Sequence, residues 1–228
     1  MNTELQAVIF DMDGVLIDSE MTHYRSICEA MGKRMTVSYE TFLERCTGGD
    51  ERFAMVQMAE LSGIANDDGL FQEWSKRKAA AYARLVAEEA CAMPGAIELV
   101  ESVAEELPVG LATGSRRSDV DAALNVLAGG RLEGIFRAIV TSGDVAKPKP
   151  SPATYAKAVE QLGVEPSACY AIEDSANGIA SARGAGLRVI GLSSMHDASK
   201  LSGAEKVVST LAGVSLADLR QWFAETVD

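Results

Sequence analysis

Four short apolar runs in this chain end in residues that ionise or carry hydroxyls. The run from Gln6 to Phe10 leads into Asp11, Met12, Asp13 and Gly14. The run from Val109 closes on Thr113 and continues as Gly114, Ser115, Arg116 and Arg117. Beyond the run from Ala138 to Thr141 lie Lys147, Pro148, Lys149 and Pro150, and the run from Cys169 to Ile172 meets Glu173, Asp174 and Ser175. Two carboxylate pairs brought face to face repel each other unless a cation lies between them. No imidazole or thiolate stands at these run ends, so an oxygen-only donor set suits Mg²⁺, which keeps waters and accepts phosphate oxygens. A metal with one lysine would neutralise the charge that develops on a transferring phosphoryl group. The residue types are those that phosphoryl transfer needs.

The elements that must position them follow from the same runs. Each is short enough to be a buried strand, and a further one lies at Leu187–Gly191. Between them, apolar residues recur at helical spacing: Ile97, Val100, Val103 and Leu107, then Val120, Ala123, Leu124 and Leu127, with further helices over 154–162 and 178–185. Strands alternating with helices imply right-handed crossovers and an α/β fold, a Rossmann-like doubly wound parallel sheet with helices on both faces. Ligands of such sheets sit beyond the carboxyl ends of the strands, where all four clusters fall. From Asp18 to Cys91 no strand is legible, only helical stretches punctuated by glycine. That is too long for an ordinary crossover. It reads as an inserted all-helical cap domain, residues 18–91, on a core of residues 1–17 and 92–228, with joints near Val15–Asp18 and Ala92–Gly95.

Composition narrows the partners. In 228 residues, 47% are hydrophobic, which supports a sizeable core. A formal net charge of -12 argues against nucleic acid or an anionic membrane as partner, so positive charge for a phosphate must be gathered locally. Cys28, Cys46, Cys91 and Cys169 show no paired spacing and read as reduced thiols. Met1–Gln6 carries no signal-like pattern, and no stretch nears the roughly 20 apolar residues of a membrane span. The expected location is the cytoplasm.

Asp11-Met12-Asp13-Gly14, Thr113, Lys149 and Glu173-Asp174 resemble, in their usual order, the four motifs of the haloacid-dehalogenase-like superfamily. The helical block resembles the cap of its sugar-phosphate phosphatase and β-phosphoglucomutase branch, and Ile172–Gly178 followed by Gly184–Leu187 is typical of that branch. The resemblance implies that Asp11 attacks phosphorus and forms an aspartyl-phosphate. It implies that Asp13 moves the proton to and from the reacting oxygens. Mg²⁺ would be held by Asp11, the Asp13 carbonyl, Asp174 and often Glu173; Thr113 would hold a phosphoryl oxygen through hydroxyl and N–H. Lys149 is preferred over Lys147 because Lys149-Pro150-Ser151-Pro152 fits the family spacing without a gap.

For the substrate, a small phosphorylated sugar, the same resemblance singles out His23, ten residues after Asp13, and Lys78 in the cap. It adds the loop with Gly48, Gly49 and Arg52, where Asp50 replaces a lysine, and Gly114, Ser115 and Arg116 after the second motif. Blander readings stand beside these. Lys76 and Arg77 suit a solvated helix face, and His23 suits a helix residue satisfied by a neighbour. Asp11–Gly14 is no EF-hand loop, because Gly14 is fourth and the twelfth position is Thr22. The expectation is a monomeric, Mg²⁺-dependent phosphatase; a β-phosphoglucomutase-type mutase shares every core residue and is the alternative. Asp13 counts against dehalogenation.

Overall fold

The computed structural model describes residues 4–47, 50–65, 68–132, 134–194 and 198–225. Six parallel strands form one sheet: β1 (Ala7–Phe10), β4 (Val109–Ala112), β5 (Ala138–Val140), β6 (Cys169–Glu173), β7 (Arg188–Leu192) and β8 (Lys206–Val208). Their order across the sheet is β5-β4-β1-β6-β7-β8. β1 therefore lies between β4 and β6, with Val8 opposite both Val109 and Tyr170. The chain runs outward from β1 to β5, then returns to the other side of β1. That reversal is the switch point at which open α/β sheets hold ligands.

Alternation along β1 sends Val8 and Phe10 to one face, Ala7 and Ile9 to the other. The first face is covered by α5 (Ala96–Ala104), α6 (Arg117–Val126) and α9 (Leu216–Ala224) through Leu99, Val100, Val120 and Leu219. The second is covered by α7 (Ala153–Leu162) and α8 (Ala176–Gly184) through Tyr155, Ala158 and Ile179. Burying Phe10 completely is worth about 2–3 kcal/mol and anchors the strand that delivers Asp11. The doubly covered parallel sheet agrees with the sequence expectation. The edge strand β8 was not anticipated: three residues, one of them Lys206, give no readable period.

The insertion consists of α1 (Glu20–Met31), α2 (Tyr39–Arg45), α3 (Glu51–Leu61) and α4 (Asp68–Glu89). These helices bury their own apolar cluster, with Ile27, Phe42, Met55, Met58 and Trp74 inside. Where the chain leaves and re-enters the core, β2 (Ile17–Asp18) and β3 (Cys91–Ala92) pair antiparallel, Ile17 opposite Ala92. Two-residue strands are too short to be read from a sequence. α4 also lies along α6, so the helical insertion rests directly on the core above the carboxyl ends of the strands.

Candidate active site

Asp11 is the first residue past β1, and its N–H still donates to the Ile172 carbonyl of β6 at 3.0 Å. The side chain is therefore fixed by the sheet itself. Oδ1 accepts from the Met12 N–H at 2.8 Å and lies 3.1 Å from Lys149 Nζ. Lys149 also donates to the Ala112 carbonyl at 2.9 Å and to Glu173 Oε1 at 2.5 Å. One lysine thus ties together the ends of β1, β4 and β6. Lys147 is exposed. Glu173, fully buried, accepts from the Tyr155 hydroxyl at 2.9 Å on one oxygen and from the Ser175 hydroxyl at 3.1 Å on the other.

Oxygens of Asp11, Glu173 and Asp174 lie within 4.8 Å of one another, and all three residues are buried. Burial, reinforced by Glu173, pushes the Asp11 carboxyl up to about 8, and burial with Glu173 and Asp11 raises Asp174 well above the carboxylate range. Burial would lower Lys149, but Asp11 and Glu173 outweigh it and raise the ammonium. One lysine does not compensate three carboxylates. The donor set is all oxygen, buried and short of positive charge, so it fits Mg²⁺. Two glycines make room: a Cβ on Gly14, at φ +74°, would stand 2.0 Å from Asp174 Oδ2, and one on Gly178 would stand 1.9 Å from the Glu173 carboxyl carbon.

Asp13 faces three polar side chains, two from the start of α1 and one from the segment after β4. Ser19 Oγ donates to Oδ1 at 2.5 Å, His23 Nε2 lies 2.9 Å from Oδ1, and Ser115 Oγ donates to Oδ2 at 2.6 Å. Burial alone would raise this carboxyl, but His23 and the hydrogen bonds outweigh it and hold the group below the usual carboxylate range. Neighbouring carboxyls two residues apart are thus driven in opposite directions, the pattern that separates a proton-moving group from its partner. His23 also stacks on Tyr82, with ring centroids 4.6 Å apart.

A cavity of about 320 Å³ opens above these groups, between core and helical insertion. Asp11, Asp13, His23, Lys78, Gly114, Ser115, Lys149 and Asp174 all line it. The structure places the other expected residues in varied settings. The Thr113 N–H is taken by the Val140 carbonyl at 2.9 Å, and its hydroxyl oxygen accepts the Ser115 N–H at 3.0 Å. Arg52 does not line the cavity: its guanidinium pairs with Asp68 at 2.6 Å and covers the Phe71 ring at 4.5 Å. Arg116 also stays outside it, with Nε 2.8 Å from Glu51 Oε1. Gly48 and Gly49 lie outside the described residues. Lys78 is buried in an ion pair with Asp119 of α6 and lies 3.3 Å from Glu51. Neither partner stood out in the sequence, because each is one acid among many on a polar helix face and only the fold aligns them.

A haloacid dehalogenase-like hydrolase family model matches residues 5–186. Protein CbbY of Rhodobacter capsulatus is 36% identical over 195 residues, 82% of this chain and 85% of that one. Validoxylamine A 7'-phosphate phosphatase of Streptomyces hygroscopicus subsp. limoneus is 33% identical over 213 residues, 92% of this chain and 95% of that one. A crystal structure of a CbbY mutant from Rhodobacter sphaeroides, in complex with xylulose-(1,5)bisphosphate, superposes with a TM-score of 0.83 at 28% identity, covering 94% of this chain and 99% of that one. The chain belongs to the haloacid dehalogenase-like hydrolases, in the branch that holds these sugar-phosphate proteins.

Proposed function

We propose that this chain is a Mg²⁺-dependent phosphatase that removes the phosphoryl group from a small sugar phosphate through an aspartyl-phosphate on Asp11. The observation that carries the reading is the convergence of Asp11, Lys149, Glu173 and Asp174 at the switch point of the sheet. The names of its relatives, a phosphatase of a phosphorylated natural product and a protein crystallised with a sugar bisphosphate, support the substrate class.

Oδ1 of Asp11 is engaged by Met12 and Lys149, which leaves Oδ2 to attack phosphorus. The P–O ester bond breaks, and Asp13 gives its proton to the departing sugar oxygen. Water then attacks the phosphorus of the aspartyl-phosphate, returns a proton to Asp13, and releases inorganic phosphate with Asp11 restored. Asp13 must therefore enter the first step protonated; the ionised arrangement described is the one left after that transfer, ready to accept the proton from water. Lys149 and the Thr113 hydroxyl would bind phosphoryl oxygens. Asp11, Asp174 and the Asp13 carbonyl, with Glu173 behind them, would hold Mg²⁺, which when bound supplies charge neutralisation for the phosphoryl group. Residues 18–91 serve as the cap that excludes water and selects the leaving group, over a core of residues 1–17 and 92–228.

A phosphate-release screen over mono- and bisphosphorylated sugars tests this. Release with Mg²⁺ that stops with chelator is the expected result. Conversion of β-glucose 1-phosphate to glucose 6-phosphate, primed by the bisphosphate and without phosphate release, would instead establish a mutase.

A further inference from the structure

The two ends of the cavity differ in electrostatic character. The core end offers Lys149 and a place for a divalent cation, enough for one phosphoryl group. Among the described residues that line the cavity, the other side chains able to carry positive charge are His23, Lys78 and Lys200. His23 faces Asp13 at 2.9 Å. Lys78 is buried between Asp119 and Glu51, and Arg116 reaches Glu51 from outside the cavity. These two cations and two carboxylates balance one another. Lys200 is exposed and belongs to the core segment after β7, not to the helical insertion.

What remains at the helical end is Asp50, set among the apolar groups Ile27, Phe42 and Ala54. Asp50 is fixed there because it caps α3, its Oδ1 accepting the Phe53 N–H at 2.9 Å. A second phosphate placed beside Asp50 would meet a carboxylate and hydrocarbon; the cavity-lining cation with no described ion pair, Lys200, belongs to the core segment after β7. Two like unit charges about 6 Å apart, at an effective dielectric between 20 and 80, weaken binding roughly 3- to 100-fold.

Resting on the phosphatase reading above, we propose that the enzyme selects phosphate monoesters whose leaving group carries no second phosphate, and that Asp50 enforces the choice. Neutral, hydroxyl-rich or cationic leaving groups suit this end of the cavity. The same charge pattern disfavours a bisphosphate intermediate, which a phosphosugar mutase must hold.

The test compares kcat/KM on matched pairs: fructose 1-phosphate with fructose 1,6-bisphosphate, and xylulose 5-phosphate with xylulose 1,5-bisphosphate, with p-nitrophenyl phosphate as a third arm. The monophosphate is expected to lead by about tenfold or more, and the lead should shrink with added salt as the repulsion is screened. Asp50→Asn keeps a good helix cap while removing the charge, so the ratio should fall by about threefold or more in a folded protein. Equal or better turnover of either bisphosphate by the unaltered enzyme would overturn the selectivity while leaving the phosphatase intact. A ratio unmoved in Asp50→Asn would remove Asp50 as its source. Turnover of p-nitrophenyl phosphate alone would reject sugar phosphates as the substrate class, and the selectivity with them; no turnover at all would reject the phosphatase.

Discussion

Gly14 and Asp174 are in such close approach that a single methyl group on the glycine would stand 2.0 Å from the Asp174 carboxylate oxygen. The first and last clusters of the sequence are thus packed against each other without slack. Gly14→Ala must displace Asp174 and also adopt φ +74°, which L side chains rarely take. Mg²⁺ affinity and kcat/KM should each fall about 10- to 100-fold, with the circular-dichroism spectrum retained. Wild-type Mg²⁺ dependence in this variant would contradict the placement of Asp174 at the metal.

Lys149 compensates two buried carboxylates at once. Lys149→Met leaves both uncompensated and should cost about 3–5 kcal/mol in urea unfolding at pH 8. The loss should be smaller at pH 6, where Asp11, pushed up to about 8, holds a proton. Asp11→Asn in the same background should restore much of the stability, a coupling that a double-mutant cycle measures. Independent, additive effects would mean the two side chains do not interact.

Magnesium binding should release protons. A carboxyl raised from 3.8 to about 8, as Asp11 is by burial and by Glu173, holds its proton more tightly in the folded chain. Its contribution to stability is therefore fully present below about pH 4 and is lost as pH rises through 8. The metal-free protein should weaken over that window, and added Mg²⁺ should offset the loss. Calorimetric titration with Mg²⁺ at pH 7, in buffers of different ionisation enthalpy, should show about one proton released. Heats independent of buffer would contradict a metal that displaces the Asp11 proton.

Much of this architecture was legible in the sequence because chemistry interrupts hydrophobicity at the strand ends. Apolar runs stop at Asp11, Thr113 and Glu173, and the structure ends β1, β4 and β6 within one residue of those points. What was not legible is whatever depends on two distant polar residues meeting. Lys78 reads equally as a ligand contact or a solvated lysine until α4 is laid on α6 and Asp119 comes within reach. Arg52 looked suited to the substrate because its neighbours fit a loop pattern, yet Asp68 and Phe71 hold it outside the cavity. The sites of Gly48 and Gly49 lie outside the described residues.

The central claim is that an oxygen of Asp11 bonds to phosphorus. Rapid acid quenching during turnover of a ³²P-labelled sugar monophosphate should trap a label that hydroxylamine removes and that maps to the peptide containing Asp11. Asp11→Asn should trap none and turn over none. Steady turnover without a trapped acyl phosphate, together with activity surviving in Asp11→Asn, would contradict the account.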